Sequence, residues 1–450
     1  PKIIPLHKSG DVDKVTNYRP ISILPYFSKL FERAMFSRIY NFLMKFSLLN
    51  NRQFGFRKGH STFMPLILLY SRIAEAVEHG EYTIGIFLDL AKAFDTVDQN
   101  LLIDKLSFYG FRGCVLDWLK DYLLNRKQLV EFNGSRSFSR DILCGVPQGS
   151  ILGPLLFIIY INDLLKASSL VEFLLFADDT SIFASGNCLS DLISIMNNEL
   201  VSIDEWFRTN KLSLNMDKTN YILFRTRHKA SYCDNILNIN GYPIRCVSSI
   251  KFLGVIIDEH LDWSKHISFI ESKISKNIGV IYKISGFVDK KILKLLYYSL
   301  IYPYFTYCNI VWAANYPTRL RGLHILQKKA VRIIFHLPYR APTGPTFLVN
   351  DLLNIYQLNK FQICLFMFKY NSGELPNVFI HMFKKTSEIH TFALRSSINY
   401  RSDFCGTTFK SFSICCRRPR LYNSLPVHLK SIKSITLFKK CLKSFILLSN

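Results

Sequence analysis

The sequence predicts an α+β fold in which an antiparallel sheet backed by helices is followed by a helical region. Up to about residue 257, apolar runs of strand length alternate with helical patterns, and no doubly wound parallel order is implied. From about 260 to 345 the pattern is helical. At 450 residues the chain also exceeds what one hydrophobic core usually supports, so two or three domains are expected.

Each element follows from the spacing of apolar residues. In the first part, helices are expected at 27–46 and 62–79. In the middle part, the pattern predicts strands at 82–89 and 127–132 and helices at 100–123, 150–165 and 189–209. Beyond it, helices are expected at 264–284, 290–300 and 320–335. The last hundred residues predict no particular fold.

The richest apolar window, 292–316, is interrupted by Lys294, Pro303 and Asn309. It therefore falls short of the roughly 20 apolar residues that a membrane-spanning helix needs. A buried helix is predicted there, and no membrane is expected among the partners. The chain opens on Pro1 without a signal-peptide pattern, and the missing methionine suggests a fragment.

Composition points to a polyanionic partner. The formal net charge is +24, from 57 Lys and Arg against 33 Asp and Glu, and such a surface attracts phosphate backbones. The 37 Phe and 23 Tyr residues offer aromatic faces for stacking on bases, although most must be core. The eleven cysteines lack Cys-x-x-Cys spacing, which argues against a disulfide framework or a zinc site and favours free thiols.

Two apolar strands in the middle part end on carboxylates. The run 171–184 is broken by Asp178 and Asp179, which predicts a hairpin with both residues at its tip. The strand 82–89 ends on Asp89. Asp-Asp is ordinary turn chemistry in an isolated hairpin. Carboxylates on neighbouring strand ends, however, repel each other unless a cation lies between them, and oxygen-only ligands suit a pair of Mg²⁺ or Mn²⁺ ions.

Seven motifs in order resemble a known family, the reverse transcriptases of non-LTR (LINE-type) retrotransposons, with the jockey and CR1 groups most alike. The motifs are NYRPIS at 17–22, QFGFRKGHST at 53–62, FLDLAKAFD at 87–95, GVPQGS at 145–150, FADD at 176–179, LNMDKT at 214–219 and FLG at 252–254. The glycine- and proline-rich loop at 144–154 lets a backbone approach a planar or phosphorylated ligand closely. The resemblance is specific over about residues 1–257.

The resemblance implies a right-hand polymerase. Fingers would occupy 1–81 and the palm 82–257, together forming the reverse transcriptase domain. A helical thumb-like region would follow at 258–345, and 346–450 would be a basic C-terminal region of unknown fold. The implied activity is that of an RNA-directed DNA polymerase, with an RNA template, a DNA primer or target and dNTPs as partners. Two Mg²⁺ or Mn²⁺ ions would be held by Asp89, Asp178 and Asp179.

Further residues acquire roles only through the resemblance. Arg57 would contact phosphate, Phe94 would exclude a ribose 2′-OH, and Gln148 would contact the template and the nucleotide. Arg57 and Phe94 also have ordinary explanations, as a solvated loop arginine and a core phenylalanine on a helix.

The last two motifs also acquire roles through the resemblance. Lys218 would protonate the pyrophosphate leaving group, although a lone lysine after Asp217 is usually a surface residue. Phe252, Leu253 and Gly254 would hold the primer end as a primer grip.

The last segment is strongly basic. After Asp403 there is no acidic residue, whereas Lys and Arg number nine, among them Arg417, Arg418 and Arg420. This tail is expected to contact a phosphate backbone. The alternative is that it packs on the helical region as structure.

Two other functions remain open at this stage. One is a catalytically inactive or repurposed nucleic-acid-binding remnant, and the other is a group II intron-type maturase. An intracellular location with the element RNA is expected, in the nucleus, the cytoplasm or both. The sequence leaves the host, the insertion target, the template preference and the oligomeric state open.

Overall fold

The computed structural model describes residues 1–229, 236–388, 399–402 and 405–449. The strands are β1 (Lys2–His7), β2 (Tyr18–Ile23), β3 (Tyr82–Leu88), β4 (Lys127–Phe132), β5 (Ser135–Arg136), β6 (Arg140–Asp141), β7 (Glu172–Phe176), β8 (Asp179–Gly186), β9 (Asn220–Phe224), β10 (Asn238–Ile239), β11 (Tyr242–Pro243), β12 (Arg245–Cys246), β13 (Ser249–Phe252) and β14 (Val255–Asp258). Helices and strands are both abundant, and the predicted α+β class is confirmed.

The helices of the first half surround the strands, and those of the second half follow them. They are α1 (Tyr26–Lys45), α2 (Phe63–Glu78), α3 (Gln99–Phe108), α4 (Gly113–Leu124), α5 (Gly153–Tyr160), α6 (Leu189–Thr209), α7 (Ser264–Ile284), α8 (Lys290–Leu300), α9 (Tyr302–Thr306), α10 (Asn309–Trp312), α11 (Pro317–Ile334), α12 (Gly344–Val349), α13 (Ile355–Asn371), α14 (Thr408–Ser411), α15 (Ile414–Asn423), α16 (Val427–Lys430) and α17 (Ile435–Leu448). Within the described ranges, none of them is both long enough and apolar enough to cross a membrane.

The central sheet has the strand order β12-β9-β3-β8-β7. β3 pairs antiparallel with β8 and β9, and β7 and β8 form an antiparallel hairpin, while β12 joins the edge in parallel. Six of the seven β3 residues are buried because both faces of the sheet are covered. Ile84 and Ile86 face a core shared with α3, α5 and α6, whereas Phe87 faces a second core.

A second sheet, here called the outer sheet, joins two distant parts of the sequence. β1 pairs antiparallel with β2, and β4 pairs in parallel with β1, with Lys2 opposite Leu129. β5 and β6 both pair with β4. The expectation that strand 127–132 joins the central sheet is therefore wrong. None of its residues is buried, so it suits an open sheet rather than a covered one.

The second core extends from α2 to the end of the chain. It contains side chains of α2, of the β13–β14 hairpin and of α7, α8, α11, α13 and α17. α7 packs against α11, and α13 packs against α15 and α17. Residues of the C-terminal region and of the N-terminal helix α2 therefore share one core.

Two helix predictions need correction. The helix expected at 100–123 is two helices, α3 and α4, because Gly110 takes a φ of +97° that ends α3. The buried helix expected within 292–316 is interrupted after α8 into the short helices α9 and α10, with Cys308 in the left-handed region at φ +49°.

The described part of the tail is folded onto the rest of the molecule. The Phe438 ring of α17 stacks on Phe368 of α13 at 4.3 Å, and Arg418 is 1% exposed with its guanidinium 4.1 Å from the Phe366 ring centroid. The expectation that Arg418 contacts a phosphate backbone is therefore wrong, because the side chain is buried against aromatic core. Arg417 is half-buried, Arg420 is exposed, and Asp403 lies outside the described residues.

Candidate active site

The register of the central sheet brings the acidic residues together. Leu88 of β3 lies opposite Thr180 of β8, so Asp89, one residue beyond β3, lies next to Asp179 at the start of β8. Phe176 pairs with Asp179, which leaves Ala177 and Asp178 as the two-residue loop of the hairpin. The predicted hairpin is thus confirmed. Asp89, Asp178 and Asp179 share one end of the sheet because strand pairing fixes them there.

The charges of these carboxylates act on one another. Burial and the charge of Asp89 raise the pKa of Asp178, while the positive charges of Arg19 and Lys8 oppose the shift. Although Asp179 keeps an exposed face, partial withdrawal from water and the charges of Asp178 and Asp89 raise the pKa of Asp179 to about 6. This end of the sheet therefore carries a concentrated negative charge that favours a cation.

The loop before β9 supports Asp89 from the other side. The Asn215 backbone amide donates to the Asp89 carbonyl at 2.7 Å, and the Asp89 amide donates to the Thr219 hydroxyl at 3.4 Å. Thr219 is buried. Lys218, the residue before it in the same loop, is exposed, and its Nζ lies 4.0 Å from an Asp89 carboxylate oxygen. The structure thus brings Lys218 to the acidic cluster.

A cavity of about 100 Å³ connects the carboxylates with the β13–β14 hairpin. It is lined by Phe87, Leu88, Asp89, Asp179, Thr180, Lys218, Ile250, Lys251 and Phe252. The sequence reasoning missed Lys251, although its position next to the Phe252-Leu253-Gly254 motif offered a signal. A larger cavity, of about 380 Å³ beside Trp206 of α6, shares no lining residue with this one.

The hairpin of residues 252–254 has a tight loop that a tyrosine holds in place. Leu253 and Gly254 both take positive φ, at +46° and +79°, as a two-residue type I′ loop requires. The Tyr307 hydroxyl donates to the Leu253 carbonyl at 2.7 Å, and a Cβ on Gly254 would come within 3.1 Å of the Tyr307 ring. The helical region thereby fixes the hairpin beside the carboxylates. No local sequence signal pointed to Tyr307.

Phe94 and Gln148 lie on two loops that pack against each other. The Phe94 ring stacks on the buried Phe157 ring at 4.5 Å and also meets the exposed Phe56 ring edge-on at 6.1 Å. The Gln148 side-chain amide donates to both carboxylate oxygens of Asp95, at 2.9 and 3.0 Å. Phe94 therefore has a core side and a more open side, while the amide nitrogen of Gln148 is engaged within the protein.

Arg57 is held by its own loop. It is 8% exposed, and its guanidinium donates to the backbone carbonyls of Asn50 at 2.6 Å and Gln53 at 3.1 Å. Burial lowers the pKa of Arg57. This placement supports a structural role and gives no support to the expected phosphate contact. The basic groups whose charges reach Asp178 are instead Lys8 and Arg19, which the sequence reasoning did not single out.

The donor set at the end of the sheet is chemically suited to Mg²⁺ or Mn²⁺. It consists of carboxylate oxygens, which these hard ions prefer, and after burial the charges of Asp178 and Asp89 contribute to the raised pKa of Asp179. Within the described ranges, no three Asp, Glu, His or Cys side chains converge closely enough to hold an ion as they stand. The fit therefore rests on the chemistry and the electrostatics of the carboxylates.

Proteins of transposable elements resemble this chain over most of its length. The chain is 29% identical over 345 residues to the probable RNA-directed DNA polymerase from transposon X-element of Drosophila melanogaster, covering 73% of this chain and 37% of that protein. It is 28% identical over 348 residues to the RNA-directed DNA polymerase from mobile element jockey of the same species, covering 75% and 38%. The chain thus spans less than two fifths of the length of these relatives.

Solved structures add only a distant likeness. The apo telomerase of Candida tropicalis matches with a TM-score of 0.39 and 12% identity, over 71% of this chain and 56% of that chain. A match at this level carries no argument about fold or function.

A family model covers more than half of the sequence. The model described as reverse transcriptase (RNA-dependent DNA polymerase) matches residues 6–257, the range that includes all seven motifs. With the relatives above, this confirms the resemblance to jockey-like reverse transcriptases of non-LTR retrotransposons. The chain belongs to the reverse transcriptase (RNA-dependent DNA polymerase) family.

Proposed function

We propose that this chain extends a DNA 3′-OH along an RNA template by in-line phosphoryl transfer, with Asp89, Asp178 and Asp179 as the metal-binding carboxylates. The observation that carries the proposal is the strand register that gathers these three residues at one end of the sheet, where burial and the charges of Asp178 and Asp89 raise the pKa of Asp179 to about 6. When bound there, two Mg²⁺ or Mn²⁺ ions would lower the pKa of the primer 3′-OH and neutralise the triphosphate.

The protein groups around the carboxylates have separate tasks in this proposal. Lys218, exposed and 4.0 Å from Asp89, delivers a proton to the departing pyrophosphate. Phe94, supported from behind by Phe157, closes the space that a ribose 2′-OH would need. Gln148 positions the template and the nucleotide. Its side-chain amide, which donates to the Asp95 carboxylate without substrate, either turns from Asp95 to the substrate or holds Asp95 in contact with it.

The β13–β14 hairpin acts on the primer. Phe252, Leu253 and Gly254 form its tight loop, which Tyr307 fixes, and the cavity beneath it joins this hairpin to Asp89 and Asp179. A primer end that rests on the hairpin would therefore lie beside the carboxylates. Lys251 on the same cavity wall supplies a positive charge for the primer backbone.

The regions of the chain then take the parts of a right hand. β1, β2, α1 and α2 correspond to the fingers within 1–81, the central sheet to the palm within 82–257, and α7 to α11 to the thumb within 258–345. Because β4 joins β1 and α2 shares the second core, the fingers are built from more than one stretch. We place the protein with its element RNA, in the nucleus, the cytoplasm or both.

Primer extension tests this proposal. The full chain is incubated with a DNA primer annealed to an RNA template, the four dNTPs and Mg²⁺, and a parallel reaction contains EDTA. Template-directed extension that EDTA abolishes is the expected result. Binding of the primer–template without extension at any Mg²⁺ or Mn²⁺ concentration would contradict the proposal and would indicate a nucleic-acid-binding remnant.

A further inference from the structure

We propose that Gln53 is a positioning residue for the acidic turn, holding Ala177 in the conformation that places Asp178 and Asp179. This inference rests on the proposed function, because it concerns the carboxylates of the same site. Gln53 lies more than 120 residues before the turn in the sequence, in a loop that the family resemblance associates with the fingers rather than with catalysis.

The loop around Gln53 runs along the edge strand of the central sheet. The Leu175 amide donates to the Arg52 carbonyl at 3.0 Å, and the Phe54 amide donates to the Leu175 carbonyl at 2.8 Å. Gln53 and Leu175 form a parallel bridge. The loop is thus hydrogen-bonded to β7 at Leu175, two residues before Ala177 of the acidic turn. These hydrogen bonds fix the position of the end of β7 relative to the loop.

The Gln53 side chain then reaches the turn itself. It is fully buried, and its Oε1 accepts from the Ala177 amide at 3.0 Å and from the Gly55 amide at 2.8 Å. Because both partners are donors, the oxygen and not the NH₂ group must face them. One side-chain oxygen therefore joins the fingers loop to the residue immediately before Asp178.

Ala177 needs this support because its conformation is unfavourable. Its φ is +58°, in the left-handed region where a Cβ is disfavoured, and two-residue hairpin loops of type II′ have glycine at this first position. Without Gln53 the Ala177 amide would be buried with no acceptor, since Ala177 is only 4% exposed. The turn is then free to change, and Asp178 moves with it.

The surrounding contacts show that the approach of the two backbones is close. A Cβ on Gly55 would lie 2.2 Å from the Ala177 nitrogen, so no side chain fits at position 55. The Arg57 guanidinium donates to the Gln53 carbonyl at 3.1 Å and thereby holds the backbone of the loop. Gly55 and Arg57, two residues of the motif at 53–62, thus support the contact that Gln53 makes.

The test compares two fully buried glutamines. Gln53→Met is nearly isosteric and removes the acceptor. Gln327→Met is the matched control, because Gln327 is also fully buried and its amide accepts from the Ile355 backbone at 3.0 Å and donates to the Leu353 carbonyl at 3.0 Å, in the core of the helical region. Both variants are made in the full chain and measured with the same RNA–DNA primer–template.

Three readouts distinguish positioning from simple destabilisation. For Gln53→Met we expect kcat to fall between about tenfold and about a hundredfold, with the Kd for the primer–template unchanged. Hydrogen exchange resolved to single amides should show faster exchange at Ala177, without metal or substrate. For Gln327→Met we expect neither change, although the melting temperature falls.

A compensating substitution keeps the proposal open to test if Gln53→Met folds poorly. Ala177→Gly removes the Cβ that makes positive φ unfavourable, so the turn no longer depends as much on Gln53. In the double variant Gln53→Met with Ala177→Gly, kcat should recover at least about threefold over Gln53→Met alone. In the wild-type chain, the Ala177 amide should exchange as slowly as the paired amides of β7.

The outcomes separate this inference from the proposed function. A wild-type chain without extension activity overturns the proposed function, whereas exchange at Ala177 still reports on the contact. If the wild type extends primers but Gln53→Met matches Gln327→Met in kcat and in Ala177 exchange, the positioning role is overturned. Fast exchange of the Ala177 amide in the wild type would also overturn the positioning role of Gln53.

Discussion

At the acidic turn between β7 and β8, Asp178 and Asp179 keep contact with solvent and face a third carboxylate, whereas in α15 the Arg418 guanidinium is buried against the Phe366 ring. Both regions are rich in one sign of charge in the sequence. In the first, the like charges remain together at the end of a sheet, and burial together with these charges raises the pKa of Asp179 to about 6. In the second, one cation is withdrawn from water and its planar face packs on an aromatic ring.

This difference shows when the location of a charged side chain can be predicted from the sequence. Carboxylates at the ends of paired strands have a location that the register dictates, so their proximity follows from local pattern. An arginine run on an amphipathic helix has no such constraint, because one turn of helix presents successive residues to core and to solvent alike. Arg418 is buried and Arg420 is exposed for this reason.

The largest expected effect is the loss of activity in Asp89→Asn. Removing one of the three carboxylates that we propose as metal ligands should lower the rate of nucleotide addition by about a thousandfold or more. The metal-free protein should melt at the same or a higher temperature, because Asp89 raises the pKa values of Asp178 and Asp179 by repulsion. Asp191→Asn, on the first turn of α6, is the control. A melting temperature several degrees below the wild type would mean that Asp89 is structural.

The second prediction concerns the two arginines of α15. Arg418→Ala should lower the free energy of unfolding by about 3 kcal/mol, because it removes a buried side chain and its contact with Phe366. Arg420→Ala should change it by less than about 0.5 kcal/mol, since the side chain is exposed. Urea unfolding measures both. Equal and small effects would restore the view that this helix is a nucleic-acid contact rather than core.

The third prediction uses pH to contrast the acidic turn with the helical region. Burial and the nearby Lys251 lower the pKa of His266 to about 4, and its Nδ1 accepts from the Ile256 amide at 3.2 Å. In the unfolded chain the His266 imidazole is protonated below about pH 6.5, whereas in the folded chain it is protonated only below about pH 4. Stability is therefore lost as the pH falls through this window, by about 2 kcal/mol between pH 7 and pH 5.

For the acidic turn the sign is opposite. The raised pKa of Asp179 means that the metal-free fold holds its proton up to about pH 6, so this group lowers stability as the pH rises from 4 to 6. Urea unfolding of His266→Gln at pH 5, 6 and 7 should show a smaller loss of stability at low pH, because only His324, whose pKa burial also lowers to about 4, then contributes strongly. Replacement of the exposed His428 by Gln is the control. An unchanged profile in His266→Gln would exclude His266 as the cause.

The smallest effect is expected at Phe94, where the active site meets the core. Phe94→Val should lower the preference for dNTPs over rNTPs by about tenfold, because the smaller side chain leaves room for a 2′-OH. The ratio of kcat/KM values for matched dNTP and rNTP reports it, with the exposed Phe108→Val as control. A preserved ratio together with lowered stability would make Phe94 a core residue that stacks on Phe157 and nothing more.

The sequence was most informative where periodicity and register are local. The α6, α7 and α8 bounds and the acidic hairpin were predicted from apolar spacing alone, and Asp89 was placed with the hairpin because both strands end on acids. The pairing of β4 with β1 and the contact of Gln53 with Ala177 join residues more than 100 positions apart, and no local pattern encodes them. The backbone acceptors of Arg57, the Asn50 and Gln53 carbonyls, likewise could not be predicted, because they meet the side chain only when the loop is folded.

The fold of the last hundred residues was not predicted because their contacts are equally remote. The Glu78 carboxylate of α2 accepts from the Gly406 and Thr407 amides, at 2.6 and 3.1 Å, and α17 packs against α13. Apolar residues on α17 recur at helical spacing, but the sequence does not say which helix they meet.

The measurement that tests the central claim most directly is single-turnover addition of one dNTP to a DNA primer on an RNA template, at saturating Mg²⁺. Wild type, Asp178→Asn and Asp191→Asn are compared as full chains with equal primer–template occupancy. We predict that the wild type and Asp191→Asn add the nucleotide at similar rates and that Asp178→Asn is slower by about a thousandfold or more. A rate for Asp178→Asn within about tenfold of the wild type would contradict the assignment of the chemistry to the acidic turn.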